Sequence, residues 1–284
     1  MDGFILEQLP FVIKSGSALD VAAWAQYLVR RINLVQARIE GKDLKPLPLI
    51  GPEFSRLYAQ VNPQVGLQTG VLLGQLYPDY LRWQQQKSDL QGELDSLKAT
   101  LQQLNLGQRQ VDWLLAWVDL QNDLVPITLA DFWPVKSTLN GPHIAAGLTK
   151  AGTQAIAGFV QEVASATGEF DFWVERREKM NSLLVQTAYD AWYRFLVDFD
   201  QGRNYLDTES AWKSVLSLSF SPNDPYVKLL NTLHTIFAEV PAAQRPSWIG
   251  TVIELDQLIK TADVGLSPDG TWVDQARTVN ELGH

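Results

Sequence analysis

From Glu169 to Gly202 the apolar residues recur in steps of three and four: Met180, Leu184, Ala188 and Trp192, then Phe195 or Leu196, then Phe199. On a helix those steps gather the side chains on one face, which the rest of the protein has to cover. Glu175, Arg176, Glu178, Lys179 and Arg194 fall on the other side. Gly202 follows as a C′ residue, where glycine accepts a left-handed backbone at little cost. The stretch carries no site chemistry. It reads as a structural strut, and the expected fold is all-α: an elongated multi-helix bundle of long helices and helical hairpins.

A chain of 284 residues, 46% hydrophobic and 19% charged, can bury a sizeable core and is too apolar for disorder. Its net charge of −9 opposes the phosphates of nucleic acid, so no nucleic-acid partner is expected. With no cysteine there are no disulfides, thiolate nucleophiles or Cys-ligated zinc, which fits cytoplasm and periplasm alike. The opening residues, MDGFILEQLP, lack the basic flank of a secretory signal. The longest uncharged run, Leu57 to Pro78, is broken by glutamines, Asn62, Pro63 and glycines, so any membrane anchor is expected outside this chain. Ten tryptophans suit either sugar stacking or helix packing; the packing reading places Trp83, Trp192 and Trp212 in the core.

Along the chain, Pro10 to Lys14 is a short apolar run, a strand or an arm. Ser17 is an N-cap for a helix over Ala18 to Glu40, closed by Gly41, with Val21, Trp24, Leu28, Ile32, Val35 and Ile39 as its stripe. A Pro-rich connector, Lys45 to Pro52, follows. Phe54 to Gln60 has room for one or two helical turns. Glycines 66, 70 and 74 mark a loop or tight packing. A second long helix is expected from Asp79 to about Asn105, with Leu90, Leu94, Leu97, Leu101 and Leu104 forming a seam. Asn105-Leu106-Gly107 then turns the chain so that Val111 to Leu120 packs back as a hairpin through Trp113, Leu114, Trp117 and Val118.

Turns at Thr128 to Pro134 and Asn140 to Pro142 precede a short helix over Leu148 to Ala166. Asp224 with Pro225 starts a helix bearing Val227, Leu230, Leu233 and Phe237, ended by Pro241. Ile249 to Thr261 is the last helix, before a turn at Ser267 to Gly270. Three consecutive parts are expected: 1–78, a helical segment with the connector; 79–250, the main bundle; 251–284, a short helix and polar tail.

Site chemistry is sparse, and no catalytic, cofactor-binding or metal-ligating residue is singled out. Arg30, Arg31 and Arg38 allow an anion site or a salt-bridged helix rim, and the rim is the reading taken. His143, His234 and His284 have no partner at metal-ligand spacing. Asp198, Asp200, Gly202 and Glu209 sit at calcium-loop positions, but Arg203 stands where the loop needs glycine, so they read as helix-end residues. Glu175 and Glu178 alternate with Arg176 and Lys179 as a charge stripe rather than as two acids with separated pKa values.

Several segments resemble the TssM/IcmF inner-membrane proteins of bacterial type VI secretion. They are Leu28 to Arg38, Tyr80 to Trp83, Ile127 to Trp133, Leu148 to Gly152, Tyr189 to Trp192 with Phe195, and Ser221 to Tyr226 with Leu229-Leu230. They run in the family's order from about Leu19 to Pro241. The resemblance implies the helical part of a periplasmic ectodomain, a non-enzymatic scaffold anchored through transmembrane helices elsewhere. Implied partners are sister copies and TssL- and TssJ-like subunits. The family's nucleotide-binding loop is missing here, as is the β-rich part that meets the outer-membrane lipoprotein, so neither property is carried over. An IcmF-like component of type IVB secretion, or a helical periplasmic protein that binds or hydrolyses glycan, are the alternatives.

Overall fold

A computed structural model describes residues 17–50, 67–135, 141–219, 221–238, 240–241 and 245–265. The protein is all-α. Among these residues it has nine α-helices: α1 (Ala18–Ile39), α2 (Leu67–Trp83), α3 (Lys87–Gln103), α4 (Asp112–Asp119), α5 (Lys150–Thr167), α6 (Phe170–Asp198), α7 (Glu209–Ser217), α8 (Pro225–Phe237) and α9 (Ser247–Gly265). Two-residue strands β1 (Ile127–Thr128) and β2 (His143–Ile144) pair with each other. The expected segments Pro10 to Lys14, Phe54 to Gln60 and Ser267 to Gly270 lie outside the described residues.

The chain divides into two compact units. One takes the chain up to Ile127 together with Ile144–Arg194; the other takes Thr128–His143 and the chain from Phe195 onward. The boundary expected at 78/79 falls inside α2 and that at 250/251 inside α9, and a continuous hydrogen-bonded helix does not end where composition shifts.

In the first unit α1 is the hub. Ser17 caps its start by accepting the Asp20 amide at 3.4 Å, and Gly41, at φ 72°, ends it in the left-handed region. Fourteen of its 22 residues are buried, far more than the single stripe expected, and it packs on α2, α3, α4 and α5. A helix buried on most of its sides belongs in the middle of a bundle. The organising helix of this unit is thus α1, not the long α6.

The leucine seam is buried at Leu90, Leu94, Leu97, Leu101 and Leu104. The helix expected over 79–105, however, is two helices. α2 already begins at Leu67, ends at Trp83, and is separated from α3 by Gln84 to Gln86. Arg38 holds that break: its guanidinium donates to the carbonyls of Leu81, Arg82 and Gln84 at 2.7, 3.2 and 3.1 Å, satisfying the open end of α2. Gly74 lies so close to Ile50 that an added Cβ would sit 2.5 Å from its carbonyl oxygen, which accounts for part of the glycine spacing. Asn105, at φ 50°, does turn the chain after α3. Yet α3 and α4 pack chiefly on α1 rather than on each other, so they do not form the expected hairpin.

Trp113, Leu114, Trp117 and Val118 are buried on α4, and the Trp117 ring stacks on Phe159 of α5 at 4.4 Å. Thr149 caps α5 by accepting the Gly152 amide at 3.1 Å, and Gly168 at φ 75° ends it. On α6, Met180, Leu184, Ala188, Trp192 and Phe195 are all buried as the periodicity predicts, with Phe195 rather than Leu196 taking the inner position. Its presumed solvent face is less open than expected, because Arg176 donates through Nη2 to the Arg109 carbonyl.

The second unit is built on rings. Phe132, Trp133, Phe195, Phe199 and Tyr226 contact one another with centroids 5.3–5.9 Å apart. Gly202 belongs to a 3₁₀ helix, Phe199–Tyr205, and is not left-handed. It is small because an added Cβ would sit 2.3 Å from the Trp133 indole. Asp224 caps α8, with Pro225 at its first turn, and α8 packs on α9 through Leu229, Leu233 and Phe237. Leu229, not Leu230, is the buried member. α7 is an element the spacing analysis does not find.

Of the three tryptophans assigned to the core, Trp192 is there, while Trp83 and Trp212 are exposed. α2 turns Gly74, Pro78 and Leu81 inward, and two residues further along a helix is a rotation of about 200°, which puts Trp83 outside. Trp212 lies on α7, which buries no residue.

Truncating Trp192 to alanine is expected to remove about 3–5 kcal/mol of stability, read from thermal or urea unfolding. Two glycines should respond in opposite directions. Gly92→Ala, in the interior of α3 with open space around it, should stabilise by about 0.5–1 kcal/mol. Gly202→Ala should destabilise by about 1–3 kcal/mol as Trp133 is forced aside.

Candidate functional site

The three arginines of α1 are engaged within the chain. Arg31 is buried. Its Nε and Nη2 donate to Glu93 Oε1 at 3.0 and 2.6 Å, its Nη1 donates to the Tyr27 hydroxyl at 2.6 Å, and its guanidinium lies 5.1 Å from the Tyr77 ring centre. Tyr77 in turn donates to Glu93, and burial pushes its phenol pKa far up. Arg30 pairs with Glu162 Oε2 at 3.3 Å, and Asn33 donates to the Glu162 carbonyl at 3.1 Å. Burial raises the Glu162 pKa, and the nearby Arg30 opposes that rise. With Arg38 holding the end of α2, all three cations join helices to one another. Arg31 is therefore not on a rim, as the spacing suggests, but inside the bundle.

The calcium-like residues fall on the last residue of α6 (Asp198), the 3₁₀ helix (Asp200 and Gly202) and the start of α7 (Glu209). Asp200 is paired with Arg203 at 2.9 Å and accepts the Tyr226 hydroxyl. Among the described residues no group of three or more His, Asp and Glu is placed to hold a metal ion. Glu175 forms an exposed pair with Lys179 at 2.6 Å, a hydrogen bond that lowers its pKa. His143 Nδ1 meets the Gly141 carbonyl at 2.9 Å.

His234 has a partner that its sequence spacing hides: Nδ1 faces the carboxylate of Asp256, which is buried on α9. The residues are 22 apart, and only the α8–α9 register brings them together. A cleft of about 170 Å³ opens between the turns at Asn105 to Gln108 and Thr167 to Glu169, and Glu169 is the one carboxylate in its lining.

What α2 presents outward is different in kind. Leu72, Leu76, Tyr80 and Trp83 are all exposed, Trp83 by 83%, and their steps of four, four and three place them on one stripe of the helix. Asp79 and Arg82 border it and pair with each other. Single exposed leucines are ordinary, but four aligned apolar side chains ending in an uncovered indole form a contiguous patch of the kind that marks an interaction site. Tryptophan is the residue most enriched among interface hot spots. The sequence signal for this face was present in the spacing of 72, 76, 80 and 83. A helix starting only at Asp79, as the sequence suggests, leaves Leu72 and Leu76 outside it and hides the stripe.

Comparison of the chain with family models, with curated proteins and with solved structures returned no match. Among the described residues no helix is long and apolar enough to cross a membrane.

Glu93→Gln removes the charge that compensates Arg31 inside the bundle. It is expected to cost about 3–5 kcal/mol, the range for breaking a buried ion pair on one side, with urea unfolding as the measurement. A loss below about 1 kcal/mol would show that Arg31 reaches water in the folded protein.

Proposed function

We propose that this chain is a non-enzymatic helical scaffold, the periplasmic helical segment of a TssM/IcmF-type membrane-complex protein of type VI secretion. The apolar outer face of α2 carries this reading, because an exposed stripe ending in Trp83 is a surface for another polypeptide. The residues behind the family resemblance also sit at joints of the fold. Arg38 closes α2, Thr149 caps α5, Trp192 is a core residue of α6, and Asp224 caps α8. The mechanism is associative. Helices stiffened by buried tryptophan and leucine keep an outward face in a fixed register, and partner subunits of the secretion envelope dock on it.

Photo-crosslinking residues placed at Leu76 and Trp83, in intact cells that produce the protein, test this reading. Capture of TssL-like, TssJ-like or other envelope subunits of the secretion machine is the expected result. Capture confined to cytoplasmic proteins would overturn both the compartment and the scaffold role assigned here.

A further inference from the structure

The cleft between the end of α3 and the α5–α6 turn has the make-up of a small-ligand site, and the scaffold reading leaves it unused. All of its lining belongs to the first unit. Buried Leu101, Leu106 and Trp173 supply an apolar base, and the exposed Phe172 ring supplies a side. That ring is held edge-on against Trp173 at 5.5 Å and closes on the turn at Gly107, where an added Cβ would lie 2.6 Å from it. Four exposed polar side chains complete the lining: Gln102, Asn105, Gln108 and Glu169. Among the described residues none of the four makes a hydrogen bond or ion pair through its side chain. Asn105 is also the one non-glycine residue at positive φ among them, and its carboxamide does not serve as a cap. Residues held in sparsely populated backbone conformations collect at ligand clamps.

We propose that this cleft binds one neutral sugar ring, free or as a unit of a glycan. A cavity of about 150 Å³ takes a benzene ring, so about 170 Å³ is the size for one six-membered ring. A sugar ring offers C–H faces to the leucines and Phe172, and hydroxyls at its edge that both donate and accept. Carboxamides also do both, and the Glu169 carboxylate accepts from hydroxyls. A purely apolar ring would strip water from these polar groups without replacing it. Glu169 is the one charged side chain in the lining, which disfavours carboxylated and phosphorylated ligands. The site stands apart from the outer face of α2 and does not depend on the scaffold reading.

Saturation-transfer NMR of the purified 284-residue chain tests this, with glucose, N-acetylglucosamine and a β-1,4-linked tetramer of the latter as probes. The ring protons of a neutral sugar should take up saturation, with a Kd on the order of 1 mM for a ligand of one ring. Asn105→Gly keeps the left-handed turn and removes the carboxamide. This variant and Gln102→Ala should each weaken binding about 3–10-fold, and Phe172→Ala about tenfold. A tetramer bound at least as well as the single sugar identifies a glycan unit; binding of the single sugars alone identifies a free sugar.

Silence toward all three sugars at about 20 mM would overturn the proposal. So would binding that survives both Asn105→Gly and Gln102→Ala, or binding lost in Trp83→Ala or Trp212→Ala, which would place the sugar on those exposed indoles. Glucuronate or benzylamine bound more tightly than the neutral sugars would overturn the ligand class. If circular dichroism shows Phe172→Ala to be unfolded, the two carboxamide variants decide, since both side chains are exposed. None of the cleft variants touches Leu76 or Trp83, so failure here leaves the crosslinking test of the scaffold reading standing, and the reverse also holds.

Discussion

The polar atoms of a helix buried on nearly every side must find partners inside the protein, and α1 shows how strongly that constraint shapes a bundle. A stripe of leucines can slide against its neighbours by a turn at modest cost. A buried guanidinium cannot, because leaving it unpaired costs several kcal/mol. Arg31 therefore sets where α3 lies through Glu93, and Gln26 meets Gln121 just beyond α4 at 3.0 Å. Arg30 and Asn33 set α5 through Glu162. Apolar burial makes the first unit stable, and this small set of polar contacts gives it one register.

The second unit solves the same problem with shape. Its ring cluster has few polar atoms to satisfy, and its specificity comes from fit: Gly202 is small where Trp133 is large, and Phe199 meets four other rings edge-on or tilted. The buried carboxylate of Asp256 then ties α9 to α8 through His234. A glycine chosen for close approach and one chosen for a left-handed turn look identical in a sequence. Gly41 and Gly168 are of the second kind, and Gly202 is of the first.

Local rules were enough to read much of the fold. Ser17, Gly41 and Asp224 mark helix ends because caps act within four residues, and the 3.6-residue period found the inner faces of α3 and α6. Long-range choices were not readable. Nothing near Arg31 says that it faces Glu93 rather than water, since the partner lies 62 residues away. A start at Asp79 cuts the period of α2 short, which hides its outer stripe and makes Trp83 look like a core residue. α7 is short, so its apolar steps at Ala211, Trp212, Val215 and Leu216 span little more than one turn and do not stand out as the stripes of the longer helices do. The parts of the candidate site missed in the sequence were those where amphipathicity points outward, because periodicity locates an apolar face without saying what covers it.

The interleaving of the two units bears on how the chain is made. α1 is synthesised first among the described helices, but Arg31 waits 62 residues for Glu93, and Arg30 waits 132 for Glu162. At about 5–20 residues per second, α1 spends on the order of ten seconds emerging and uncovered before its last neighbour leaves the ribosome. Thr128–His143 is synthesised within that interval and belongs to the unit completed last. The helix of the first unit with the most buried residues is thus also the described helix exposed longest on the nascent chain, a natural station for a holding chaperone while the remainder of the chain is translated.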